Sequence, residues 1–115
     1  MKKLNLIISL ILAVILFSSC SKNLYKWGNY EKKSFAYYDK QTPESRKEFV
    51  ESLRTIIISS NRAGKKPAPG IYAEYGYLLF MQGKKGSAIN LLKKEIEAYP
   101  ESKLFVDRIL KAIQN

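Results

Sequence analysis

The first seventeen residues decide how much of this chain is free to fold. After Met1-Lys2-Lys3, Leu4 to Phe17 forms a 14-residue apolar run interrupted only by Asn5 and Ser9. As a helix it would reach about 21 Å, short of a hydrocarbon core of roughly 30 Å. A basic start followed by a short apolar stretch is the pattern of a secretory signal, which is removed rather than built into a fold. What remains has room for one small domain.

Phe17-Ser18-Ser19-Cys20 then resembles a bacterial lipobox: an apolar residue, two small ones, and the Cys that is acylated and begins the mature chain. Phe departs from the commoner Leu at the first of these positions. The alternatives are a non-cleaved anchor, or a plain signal peptide with Cys20 incidental. Cys20 is the single Cys of the chain and stands where the motif needs it. The expected division is therefore a lipoprotein signal peptide over 1–19, lipidated Cys and tether over 20–26, and one all-helical domain over 27–115. Two or more acyl chains make a stable anchor at about 0.8 kcal/mol per buried CH2, so a membrane held through acylated Cys20 is the first expected partner. Ser21, in place of Asp, resembles the sorting pattern of outer-membrane lipoproteins. No acidic run follows Cys20, so the expected address is the outer membrane of a bacterial envelope, facing the periplasm.

Composition narrows the chemistry. The chain has no His, which removes the usual general base and the commonest metal ligand. One Cys closes no internal disulfide. Glu95 and Glu97 point to different helix faces, and Glu48 with Glu51 forms a solvated i, i+3 pair, so no carboxylate pair suggests hydrolysis. No Gly-turned oxygen-rich loop suits Ca2+, and no Gly-rich loop suits a phosphate. The expectation is a non-enzyme with no catalytic residue, metal, cofactor or small-molecule substrate. Without Lys2 and Lys3 the remainder carries 18 basic and 10 acidic side chains, a net +8. Its basic residues are scattered doublets such as Lys65-Lys66 and Lys93-Lys94, and the secreted address argues against nucleic acid. An anionic membrane surface, an acidic partner or a merely solvated helix surface all fit that charge.

The folded part reads as helices separated by Pro and Gly. Leu24, Tyr25, Trp27 and Tyr30 open an aromatic cluster, and a helix is expected over about 29–40. Thr42-Pro43-Glu44 starts the next with an N-cap, a first-position Pro and a first-turn acid. Phe49, Val50, Leu53, Ile56 and Ile57 supply its apolar face, and it ends near Ala63-Gly64. Lys65 to Gly70 is an extended loop. Further helices are expected over 71–82 and about 85–98. A last one is capped by Ser102 and carries Phe105, Val106, Ile109, Leu110 and Ile113. The aromatic segment is expected to wrap back onto this unit, because a Trp and several Tyr left exposed would form a sticky patch.

In a 34-residue frame beginning at Pro69, Gly76, Gly83, Ala88 and Pro100 fall where a tetratricopeptide repeat places its small and turn residues. Tyr72, Leu79 and Glu95 depart from that pattern. Residues 69–102 are thus expected to form one tetratricopeptide-like hairpin with 103–115 as a capping helix. The other reading is an ordinary hairpin that needs Gly and Ala for close packing. Tyr72, Tyr75 and Leu79 share one side of the 71–82 helix, while Tyr77 and Phe80 lie towards another, and the sequence leaves open which side is core. Tyr72 and Tyr75, with Trp27 and Tyr30 of the aromatic cluster, are the candidate partner-binding residues.

The succession of lipobox Cys, Tyr25-x-Trp27-Gly28-x-Tyr30-Glu31, Pro69-Gly70, Ala73-Glu74-x-Gly76-Tyr77, Ala88 and Glu97-x-x-Pro100-Glu101-Ser102-x-x-Phe105 resembles a family of small bacterial lipoproteins of unknown function with a tetratricopeptide-like core. The resemblance implies an envelope protein made alongside two other lipoproteins, one similar to the curli secretion channel subunit. It carries no residue role except acylation of Cys20. The expected function is a non-catalytic interaction or assembly subunit among outer-membrane lipoproteins. The alternatives are a basic binder of peptidoglycan or membrane surfaces and an accessory with a structural role only.

Overall fold

Pro43 sets the frame of the longest helix: its ring fits the first helical turn, where its missing N–H has no partner to lose. A computed structural model of the protein describes residues 1–17 and 23–115 and contains six α-helices there, with no strand. They are α1 (Lys2–Phe17), α2 (Tyr30–Lys40), α3 (Pro43–Arg62), α4 (Ile71–Met81), α5 (Lys85–Ala98) and α6 (Lys103–Gln114), with a 3-10 turn at Pro100–Ser102 before the last. Cys20 lies outside the described residues. Leu4, Leu6, Ile7, Ile8, Leu10 and Ile11 of α1 are all exposed. Among the described residues α1 adds nothing to either core cluster, and no helix is long and apolar enough to cross a membrane.

The cap expected at Thr42 is present as a reciprocal pair. Thr42 Oγ1 accepts from Ser45 N at 3.1 Å, and Ser45 Oγ accepts from Thr42 N at 3.1 Å. Two of the orphan donors at the start of α3 are thereby satisfied. At the other end Gly64 takes φ +65°, the left-handed turn that stops the helix.

The interior has two parts joined by α4. Tyr37, Phe49, Leu53, Ile56, Ala68, Ile71 and Leu78 form one cluster, from α2, α3, the 63–70 loop and α4. Ala73, Leu92, Val106 and Ile113 form the other, from α4, α5 and α6. A helix apolar all round belongs in the middle of a fold, and α4 (IYAEYGYLLFM) serves both clusters. It crosses α5 at Gly76, where an added Cβ would lie 3.1 Å from the Ala88 carbonyl oxygen. The loop before α4 is held down by Tyr99, whose hydroxyl donates to the Pro67 carbonyl at 2.6 Å, and by Lys66 Nζ on the Ala98 carbonyl at 3.1 Å.

The aromatic segment wraps back as expected. Lys65 Nζ donates to the Asn23 carbonyl at 2.7 Å, and Tyr25 and Tyr30 pack on the first cluster. Two local expectations are corrected. Ser102 does not cap α6: it sits in the 3-10 turn, its hydroxyl donates to the Tyr99 carbonyl at 2.7 Å, and no side-chain cap is made. The helix expected to reach Gln82 closes at Met81, and Gln82 is its cap residue. Phe105 is not on the buried face of α6. It is 62% exposed beside fully buried Val106, because α5 meets α6 through Val106 and Ile113 while Ile109 and Leu110 sit at the margin.

Candidate functional site

An apolar groove of about 830 Å3 lies between α4 and α6. Helix α5 packs against both and spaces them. Gly70, Ala73 and Ala112 are small, and larger neighbours rise around them. Tyr77 and Phe80 come from α4, Phe105 and Ile109 from α6, and Trp27 and Tyr30 from the N-terminal segment. Trp27, Tyr77 and Phe105 keep much of their surface in solvent, at 49%, 50% and 62%. Aromatic side chains of this kind bring large contact area at little entropic cost when they bind.

Two ionisable groups line the groove, and they stand in different states. Glu74, in the first turn of α4 where a negative charge suits the helix dipole, accepts from two phenols: Tyr30 at 2.8 Å on Oε2 and Tyr38 at 2.9 Å on Oε1. Arg108, on α6, is exposed and has no ion pair among the described residues. The Glu74 clasp ties α2 to α4 and fixes the Tyr30 ring in the groove wall. That ring also lies 5.5 Å from Trp27 and 5.7 Å from Phe49, centroid to centroid. Burial, then the hydrogen bond to Glu74 and its charge, push the Tyr30 hydroxyl up to about 12. Tyr38 is raised by the same causes in the same order.

The clasp therefore favours protonated phenols in the folded state. Its stabilisation is complete below the unfolded tyrosine value near pH 10 and is lost as pH rises through the raised folded values. Denaturant titrations at successive pH values should show stability falling from about pH 10 upward. The double variant Tyr30→Phe, Tyr38→Phe should flatten that alkaline slope. An unchanged slope in the double variant would mean that the phenols are not so held.

Beneath the groove floor lies a second carboxylate. Glu95 of α5 is 2% exposed and accepts from Gly70 N at 2.7 Å and Ala73 N at 3.3 Å. No residue in the chain segment before α4 provides a side-chain cap, so Glu95 satisfies the start of that helix from 25 residues away. A position that departs from a small-residue pattern in the sequence is thus a cap supplied by the neighbouring helix.

Of the four candidate binding residues, Trp27 and Tyr30 line the groove and Tyr72 and Tyr75 do not. Tyr72 is 8% exposed, in the core, and burial raises its hydroxyl. Tyr75 is partly buried against the first cluster. The face assignment on α4 is therefore corrected: the side bearing Tyr72, Tyr75 and Leu79 faces inward, and the side bearing Tyr77 and Phe80 borders the groove. Phe105, Arg108 and Glu74 are not among the candidate partner-binding residues that the sequence offers. The offset of Tyr77 and Phe80 from their neighbours was the one signal that pointed to this side. Among the described residues no group of three His, Cys, Asp or Glu is placed to hold a metal ion. A second groove, of about 560 Å3 between α2 and α3, is lined by mixed charges that include the Lys33–Glu48 pair at 2.8 Å. Its charges largely answer one another.

Residues 24–109 match a family described as Domain of unknown function (DUF4810). The matched span runs from the start of the aromatic segment to Ile109 of α6. It contains the groove except for Ala112 and Ile113. No curated protein and no solved structure matches the chain.

Proposed function

We propose that this chain, which belongs to the DUF4810 family, is a lipid-anchored, non-catalytic assembly subunit that docks another envelope protein in the groove between α4 and α6. The observation that carries the reading is the groove itself: an apolar trough with half-exposed aromatic residues along its rim, in a small helical unit. Exposed aromatic surface of this extent marks interaction sites more often than idle surface. The exposed side chains of Leu4 to Ile11, and the absence of α1 from both core clusters among the described residues, support a leader that is removed without loss to the domain. Acylated Cys20 would then tether the domain to the periplasmic face of the outer membrane, with Trp27 close behind the anchor. The close approach of Gly76 to Ala88 supports a tetratricopeptide-like packing of α4 on α5. Other lipoproteins of the same membrane are the partners this reading favours.

The test is a tagged pull-down from gently solubilised membranes, with the intact mass of the bait measured in the same run. The bait should lack residues 1–19 and carry acyl mass on Cys20, whereas Cys20→Ala should keep both its leader and a lipid-free mass. A second lipoprotein should co-purify in stoichiometric amount and be lost on Phe105→Ala, an exposed position where substitution leaves the core untouched. A lipidated bait that emerges alone, even after crosslinking, overturns the assembly role. The net charge of +8 outside Lys2 and Lys3 then favours a second reading, a binder of peptidoglycan or anionic membrane. Binding of sacculi or anionic vesicles that weakens with salt would identify it.

A further inference from the structure

We infer that the groove receives an amphipathic helix from another protein, with its apolar stripe flanked by carboxylates of which one pairs with Arg108. This rests on the docking role proposed above and adds the partner's chemistry. Three features of the groove lead to it.

The first is the nature of the walls. They are almost wholly apolar, and no strand edge lies among the described residues to pair with an incoming chain. An extended peptide would bring unpaired backbone N–H and C=O groups against apolar side chains, which is costly. A helix brings its backbone already hydrogen-bonded and offers only side chains. Along α6 the groove runs from Phe105 to Ile113, a rise of about 12 Å, or roughly two helical turns. That length suits apolar anchors at i, i+3 or i+4, and i+7.

The second is the charge state of the lining. Both carboxylate oxygens of Glu74 are engaged by Tyr30 and Tyr38, so it is poorly placed to receive a partner's cation. Arg108 is the lining charge that has no ion pair among the described residues. A guanidinium presents a planar fork of donors that matches a carboxylate. Lys111, one turn on, adds a further exposed cation.

The third decides against a second copy of this chain. Two copies of a chain with 20 basic against 10 acidic side chains would meet with an excess of like charge. Like-charge juxtaposition selects against a partner even where the apolar shapes agree.

The only Trp of the chain, Trp27, lines the groove half-exposed, so its fluorescence reports on occupancy. The probes are two Trp-free synthetic helices of about 14 residues, near the shortest length at which an isolated helix persists. They share Leu and Phe anchors at i, i+3, i+4 and i+7 and differ only in flanking Glu against flanking Lys. Added to the detergent-solubilised full chain, the Glu peptide should blue-shift Trp27 emission saturably, and the Lys peptide should bind about tenfold more weakly. Arg108→Glu, at an exposed position, should invert that order while circular dichroism stays unchanged.

Equal affinities that ignore Arg108 would overturn the acidic-partner inference and leave groove docking standing. No response to either peptide would overturn both. Self-association of the chain that is broken by Phe105→Ser, or a Trp27 shift produced by phosphatidylglycerol vesicles and not by peptide, would assign the groove to a second copy or to lipid and overturn the inference.

Discussion

Replacing Gly76 with valine should destabilise the folded domain by a large part of its total stability. Gly76 is buried where α4 crosses α5, and an added Cβ would lie 3.1 Å from the Ala88 carbonyl oxygen, 3.3 Å from Leu91 Cβ and 3.4 Å from Leu92 Cγ. The nearest obstacle is backbone within a helix, and Ala88 and Leu92 are themselves fully buried, so nothing there can swing aside. Valine adds two further methyl groups beyond a Cβ that is already too close. Overpacking of this kind costs about 1–3 kcal/mol or more, in a small domain whose total stability is of order 5 kcal/mol. Alanine at the same position is a milder case. Its helix propensity returns up to about 1 kcal/mol relative to glycine, against a shift of a few tenths of an ångström, and a modestly lowered Tm is expected. Thermal melts followed by circular dichroism separate the two. A valine variant that melts within a few degrees of the parent would show that α4 and α5 do not meet here so closely.

Glu95→Ala should cost about 2–4 kcal/mol, because it strips two buried backbone donors of their acceptor. Gly70 N and Ala73 N belong to the start of α4, and no other side chain caps them. The carboxylate also lies at the positive end of the α4 dipole, which helps to hold its charge in the interior. Glu95→Gln keeps the shape and one acceptor but turns an amide NH2 towards a second donor, so its loss should fall between those of parent and alanine. Urea unfolding gives the order directly, and hydrogen exchange at Gly70 to Ala73 should speed up in the alanine variant first. Since Gly70 and Ala73 also line the groove, the same variant should weaken peptide docking. A Glu95→Ala chain as stable as the parent would mean that water or another group satisfies those donors.

These two residues differ in how far the sequence announced them. Gly76 stands in register with Ala88 in a repeat-like spacing, and a small residue at a helix crossing is a local demand that pattern can detect. Glu95 stood out only as a misfit, since its reason lies in contact with a helix start distant in sequence. Tyr72 and Phe105 show the same limit from opposite sides: each is a large aromatic side chain, Tyr72 buried in the core and Phe105 62% exposed, and local pattern does not tell the two apart. Trp27 and Tyr30 stand out in the sequence because their aromatic cluster follows the tether, and both line the groove.

By itself the sequence determined the helices and some of their ends. The Thr42–Ser45 cap, Pro43 at a first turn, Gly64 in a left-handed stop and the Pro-rich loop before Gly70 all act within a few residues of where they stand. Short-range hydrogen bonds and steric limits on φ suffice for that. The tertiary structure alone decided which face of α4 is core, because a helix apolar on every side carries no preferred direction until α3 and α5 have packed on it. It also decided the groove. That trough exists only because α5 spaces α4 from α6 and because Tyr30 and Tyr38 reach across to Glu74, contacts between residues far apart in the chain that no local periodicity encodes.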